Sequence, residues 1–209
     1  MRLTRLPWAL LASLYAAGLL PAAPAPQAAK APFRTLHYEQ QITMTGGNQQ
    51  RNQRLVKVFV KAGKVRMESP EATLVSDGKH AYACLAASKQ AFAMPLQAVA
   101  VMDGTWESLK RGLPGGARRV GTGKAGGYQC DIYVTTAAEA KGKRTTAKVW
   151  VYPRLNLPVR SEVTMPGGKM LVETRNVRVD EPLADSLFTL PTGFTVIKPS
   201  QKPAGRQTK

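Results

Sequence analysis

The stretch RTLHYEQQITMTGGN, residues 34–48, decides the fold. From Arg34 to Met44 it alternates, with Leu36, Tyr38, Ile42 and Met44 on one side and Thr35, His37, Glu39, Gln41 and Thr43 on the other. A period of two over this length predicts a half-buried β-strand. Thr45-Gly46-Gly47-Asn48 then supplies residues that tolerate positive φ, a hairpin signal. The return strand, Arg51 to Lys61, puts Val56, Val58 and Val60 together and turns Lys57, Phe59 and Lys61 the other way.

The same grammar continues downstream. Short strands are expected at 65–68, 72–76, 79–85 and 90–94, with Ala62-Gly63-Lys64, Asp77-Gly78 and Ala87-Ser88-Lys89 as turns. The connections are too short for parallel crossovers, so these strands form an antiparallel meander. Between Pro95 and Arg111 the period changes: Val99, Met102, Trp106 and Leu109 fall at helical spacing, interrupted by Asp103-Gly104. Residues 112–127 (GLPGGARRVGTGKAGG) are Gly-rich and basic and read mostly as loop, with room for a short strand at 117–121. They lack the Gly-Lys-Ser/Thr ending and following helix of a phosphate-binding loop. Strands resume at 128–135, 145–152, 157–165 and 170–180, followed by a helical turn at 185–188 and a short strand at 194–197. The expected architecture is mainly β: about ten strands, little helix and one domain over 31–197.

The ends read differently. Arg2 and Arg5 precede an uncharged, mostly apolar run, Leu6–Leu20, and then the Ala- and Pro-rich stretch 21–31. This is the order of a secretory signal peptide, and the run is short for a membrane span, which needs about 20 residues. Residues 1–30 are therefore expected to direct export, by cleavage or as an uncleaved anchor. Residues 198–209 are polar, Pro-containing and basic and are expected to be a disordered tail. The chain carries 30 Lys and Arg against 13 Asp and Glu, a net charge of +17. Such an excess attracts polyanions. Export turns that expectation away from nucleic acid and toward anionic surfaces or envelope proteins. The positive residues are spread along the chain, as on an ordinary soluble basic surface.

An even cysteine count in an exported chain predicts a Cys84–Cys130 disulfide, the alternative being two buried thiols. Such a bond would stabilise by about 2–4 kcal/mol. The inventory offers no catalytic set. The only histidines are His37 and His80, the acidic residues are scattered, there is no Gly-x-Ser-x-Gly, and no metal-ligand spacing occurs. No cofactor is expected. What remains is a sheet with a large apolar side. Its candidate cavity residues are Tyr38, Val58, Met67, Tyr82, Phe92 and Trp150, with Met102 and Trp106 from the helical segment; the alternative is an ordinary closed core.

Three runs carry a resemblance: Val149-Trp150-Val151-Tyr152, then Leu155-Asn156-Leu157-Pro158-Val159-Arg160, then Asp185-Ser186-Leu187-Phe188-Thr189-Leu190-Pro191-Thr192-Gly193-Phe194-Thr195-Val196-Ile197. In this order they resemble the LolA/LolB-like superfamily of periplasmic lipoprotein carriers, whose chains pass from an aromatic strand through a Leu-Pro turn to an ending of the form D-x-x-F-x-x-P-x-G-x-x-V-I. The Gly126-Gly127-Tyr128-Gln129-Cys130 run is similar to other chains of that fold. The resemblance implies an antiparallel curved half-barrel with a short helical lid over an apolar cavity, working outside the cytoplasm; a monomer is expected. It implies a lipid, acyl chain or lipoprotein as ligand, or else an envelope-sensing role. The basic excess, the cysteine pair, the 112–127 insertion and the abbreviated helical segment depart from a carrier, and no acyl-binding arginine of the family matches a position here.

Overall fold

The computed structural model describes residues 32–46, 51–96, 106, 110, 116–138 and 144–197. Two expectations about the ends, the signal at 1–30 and the tail at 198–209, lie outside the described residues, as does most of the 95–111 segment, Met102 included. Leu96, Trp106 and Lys110 of that segment are helical.

The described residues form one sheet of twelve strands, against about ten expected. The first six are β1 (Thr35–Gly46), β2 (Arg51–Lys61), β3 (Lys64–Glu68), β4 (Ala72–Ser76), β5 (Ala81–Leu85) and β6 (Gln90–Met94). The next five are β7 (Arg118–Ala125), β8 (Tyr128–Ala138), β9 (Arg144–Tyr152), β10 (Leu157–Met165) and β11 (Gly168–Val179). A 3-10 turn at Asp185–Phe188 leads to β12, Thr195–Ile197. The spatial order is β12-β6-β5-β4-β3-β2-β1-β11-β10-β9-β8-β7. Two sequential antiparallel meanders, β1–β6 and β7–β11, are therefore zipped together where β1 pairs with β11. The chain must cross from the β6 side to the far edge between them. It crosses again after β11, to lay β12 parallel to β6.

The sheet is open and curved. Bulges bend it. In β11, Asn176 and Val177 together oppose Tyr38, because His37 pairs with Arg178 and Glu39 with Arg175. Asn176 accepts the bulge with φ of 53° and donates from Nδ2 to Glu39 Oε2 at 2.7 Å. A second bulge lies in β10 between Pro158 and Arg160. The sheet rolls far enough that the turn at Gly126 approaches the β11 backbone: a Cβ there would stand 3.8 Å from the Thr174 carbonyl oxygen. The largest core cluster accordingly joins Leu36, Tyr38, Val56, Val58 and Val60 to Cys130, Trp150, Leu157 and Val159.

The Gly-rich stretch is more ordered than its composition implies. Arg118–Ala125 is an eight-residue strand. Glycine serves packing there: a Cβ at Gly123 would meet Ile132 Cδ1 at 3.0 Å, beside the Trp150 indole nitrogen at 3.8 Å. The expected disulfide is absent, and Cys84 and Cys130 are buried free thiols. Cys84 sits in β5 and Cys130 in β8, with β4, β3, β2, β1, β11, β10 and β9 between them. Cys84 packs with Val75 and Ala91 in one core cluster and Cys130 belongs to the large cluster with Tyr38 and Trp150, so the two thiols are buried apart.

Candidate functional site

Residues directly opposite one another on paired strands point to the same side of a sheet. The registers of β1 to β6 therefore define a continuous row: Tyr38 faces Val58, Val58 faces Met67, Met67 faces Leu74, Leu74 faces Ala83, and Ala83 faces Phe92. Five strand spacings make the row about 24 Å long. It runs from burial to exposure. Tyr38 is 2 % exposed, Val58 0 %, Leu74 8 % and Phe92 38 %. Four of the eight residues expected to line a cavity, Tyr38, Val58, Met67 and Phe92, lie in it. Leu74 and Ala83 belong to the row and escape a sequence reading because β4 and β5 are apolar on both sides, so alternation does not say which side is which.

Tyr82 lies on the other side. Its row is His37, Phe59, Arg66, Val75, Tyr82 and Ala93. This face is closed by the chain itself. Residues 180–194 cross it as a strap from β11 to β6. Asp180 anchors the start: its backbone N–H donates to the Thr35 carbonyl at 2.9 Å, and its carboxylate accepts from the Arg34 N–H at 2.7 Å. Lys61 Nζ donates to the Leu183 carbonyl at 2.7 Å, and Arg66 Nη1 to the Leu187 carbonyl at 2.9 Å. Asp185 takes an ion pair from Lys64 at 2.7 Å, and this pair, with Lys61, holds its carboxyl below the usual range. Under the strap Phe188 is 1 % exposed, and Leu190 and Phe194 pack on Val75, Cys84 and Ala91. The Thr195 N–H closes the crossing on the Lys89 carbonyl at 2.8 Å.

The two expected tryptophans do not meet. Trp106 packs on Val149 and Val151 and tilts against Tyr133, with ring centroids 4.7 Å apart. Trp150, at the alternate position of β9, belongs to the large core instead. Lys148 Nζ and the Arg160 guanidinium stand over its ring, 4.7 and 5.5 Å from the centroid. These cations cover the indole by cation–π attraction while Arg160 also pairs with Glu162 and Glu173.

Acid–base and nucleophilic chemistry have little to work with among the described residues. Burial pushes both cysteine thiols up, which keeps them protonated and unreactive. His37 stacks on Phe59 at 4.3 Å, and its buried Nε2 has no hydrogen-bond partner among the described residues. Burial first, and then the Arg178 charge, lowers its pKa. Among the described residues no three or more His, Cys, Asp or Glu side chains gather into a possible metal site.

No protein-family model matches the chain. No curated protein matches it in sequence. Solved structures do. An uncharacterised conserved protein from Thermus thermophilus superposes with a TM-score of 0.54 at 11 % identity, over 78 % of this chain and 90 % of that one. A LolA superfamily protein from Nitrosomonas europaea gives 0.43 at 9 % identity, over 76 % of this chain and 91 % of that one. An outer membrane lipoprotein-sorting protein domain from Vibrio parahaemolyticus gives 0.37 at 9 % identity, over 74 % and 88 %. What the chain shares with its structural neighbours is a fold, the open, curved, antiparallel sheet that the sequence resemblance implied.

Proposed function

We propose that this protein is a non-enzymatic extracytoplasmic binding protein that shelters an acyl chain or a similar apolar ligand, in the manner of a lipoprotein carrier. The observation that carries this reading is the row from Tyr38 to Phe92. It carries no charged residue, is about as long as an extended lipid tail, and has a buried inner end and an exposed outer one. The strap closes the opposite face and leaves this row as the face on which a ligand lies. The export signal expected at 1–30 and the resemblance of Val149–Ile197 to LolA/LolB-like carriers point the same way.

Native mass spectrometry of the purified protein, followed by lipid extraction, tests the reading. The expected result is a co-purifying lipid mass that delipidation removes and a long-chain fatty acid restores. Phe92→Glu, at an exposed position where it leaves the core intact, is expected to weaken fatty-acid uptake about tenfold by placing a charge in the acyl path. A protein that carries no lipid and takes up no fatty acid contradicts the proposal.

A second reading rests on the net charge of +17 and the full burial of Val58 and Tyr38. In it the apolar row is an ordinary core, and the protein is an envelope interaction module docking through its basic surface. It predicts association with an anionic partner that weakens steeply with salt, at zero lipid occupancy.

A further inference from the structure

The sheet formed by the described residues has two edges, and they are unequal. At one end β12 is three residues long and lies parallel to β6. At the other, β7 presents eight residues, paired among the described residues to β8 on one side only. An open edge offers a row of backbone N–H and C=O groups to any extended chain. We propose that β7 is a docking edge for an extended acidic segment of a partner protein, which adds to the sheet as an antiparallel or parallel strand.

Three features of β7 fit that occupant. The first is charge. Arg118, Arg119 and Lys124 are all exposed, near the two ends of the strand. Arg119 is already engaged, its Nη2 donating to Asp131 Oδ1 at 2.6 Å. Arg118 and Lys124 are the cations left for a partner's carboxylates. The second is room. Gly121 bears no side chain, and a Cβ added there would meet nothing within 4 Å. A bulky residue on the added strand fits over this glycine, as large side chains do beside edge glycines elsewhere. Val120, 42 % exposed at the bulge between Arg119 and Gly121, adds an apolar contact next to it. The third is discrimination against a second copy. Two β7 strands paired antiparallel would set Arg118 and Arg119 of one against Lys124 of the other, and like charges across a strand pair repel. Main-chain hydrogen bonds would supply the affinity, and the end charges and the open space at Gly121 the specificity.

The test uses the full chain, isotope-labelled, titrated with a synthetic octapeptide that has aspartates at both ends and a phenylalanine at its centre. Amide shifts are expected to be largest over 118–125, and the affinity to fall with added salt. Two changes are expected to weaken binding by about tenfold or more each: the double charge reversal R118E/K124E, at exposed positions, and N-methylation of alternate peptide bonds, which removes edge hydrogen bonds but keeps the charges. The proposal is overturned by shifts centred elsewhere, by binding that survives both changes, or by no binding at millimolar peptide. Sedimentation that finds dimers joined through β7 would also overturn it, replacing the partner with a second copy.

Discussion

The two faces of the β1–β6 meander are built from alternate residues of the same strands and are finished in different ways. One face carries the row Tyr38, Val58, Met67, Leu74, Ala83 and Phe92, free of charged residues, buried at its Tyr38 end and exposed at Phe92. The other carries His37, Phe59, Arg66, Val75 and Tyr82, and the chain's own residues 180–194 lie across it, tied down by Lys61, Lys64 and Arg66. A cover that is part of the chain needs polar ties, because its backbone carbonyls must be satisfied where they are buried. Lysine and arginine on that face do this. The first row carries no lysine or arginine, which suits the exchangeable apolar ligand proposed for it better than a polypeptide cover. The difference teaches that the polarity of an alternating strand records what covers each side, and not merely which side is inside.

The largest break in this comparison is expected at Phe188. Phe188→Ala empties a fully buried aromatic site under the strap and is expected to cost about 3–5 kcal/mol in urea unfolding. If the faces are independent, fatty-acid uptake per folded molecule stays at the level of the unaltered protein. A parallel loss of uptake would show that the strap shapes the ligand face.

A smaller effect sharpens the polar side. Burial and the Arg178 charge lower the pKa of His37 in the folded protein below the ordinary imidazole value of 6.5. The unfolded chain therefore binds the proton more readily, so stability is full above that value and declines as the pH falls through it toward the lowered one. Glu39 and Glu181 oppose the shift, and Lys57 adds to it. The thermal midpoint is expected to drop between about pH 7 and about pH 5.5, and His37→Phe, which keeps the stack on Phe59, to make the drop smaller. An unchanged slope in the variant would remove His37 from the account.

Much of the fold is legible in the sequence because β1, β2, β10 and β11 are long and clearly alternating, and Gly-containing or short turns join the neighbours. Arg51–Lys61, Ala72–Ser76, Gln90–Met94 and Leu157–Met165 fall at the expected residues. Order is less legible at β7, where Gly121 and Gly123, the latter packed against Ile132 and Trp150, imitate a loop. The site is legible only in half. Strands such as AYACL and QAFAM carry apolar residues on both sides because the strap covers one of them, so Tyr82 and Phe92 read as one face although they lie on opposite ones. The cysteine pairing fails for a different reason. Counting cysteines says nothing about strand order, and the fold buries Cys84 and Cys130 in separate core clusters.

The central claim is that an acyl chain lies along one face of the β1–β6 meander and not the other. The direct measurement is paramagnetic relaxation in the protein loaded with a fatty acid bearing a nitroxide on its chain. The account predicts strong broadening of the Met67 methyl and the Phe92 ring, with Tyr82 and Phe59 left sharp. Broadening of Tyr82 in place of Met67, or none on either face, would contradict it.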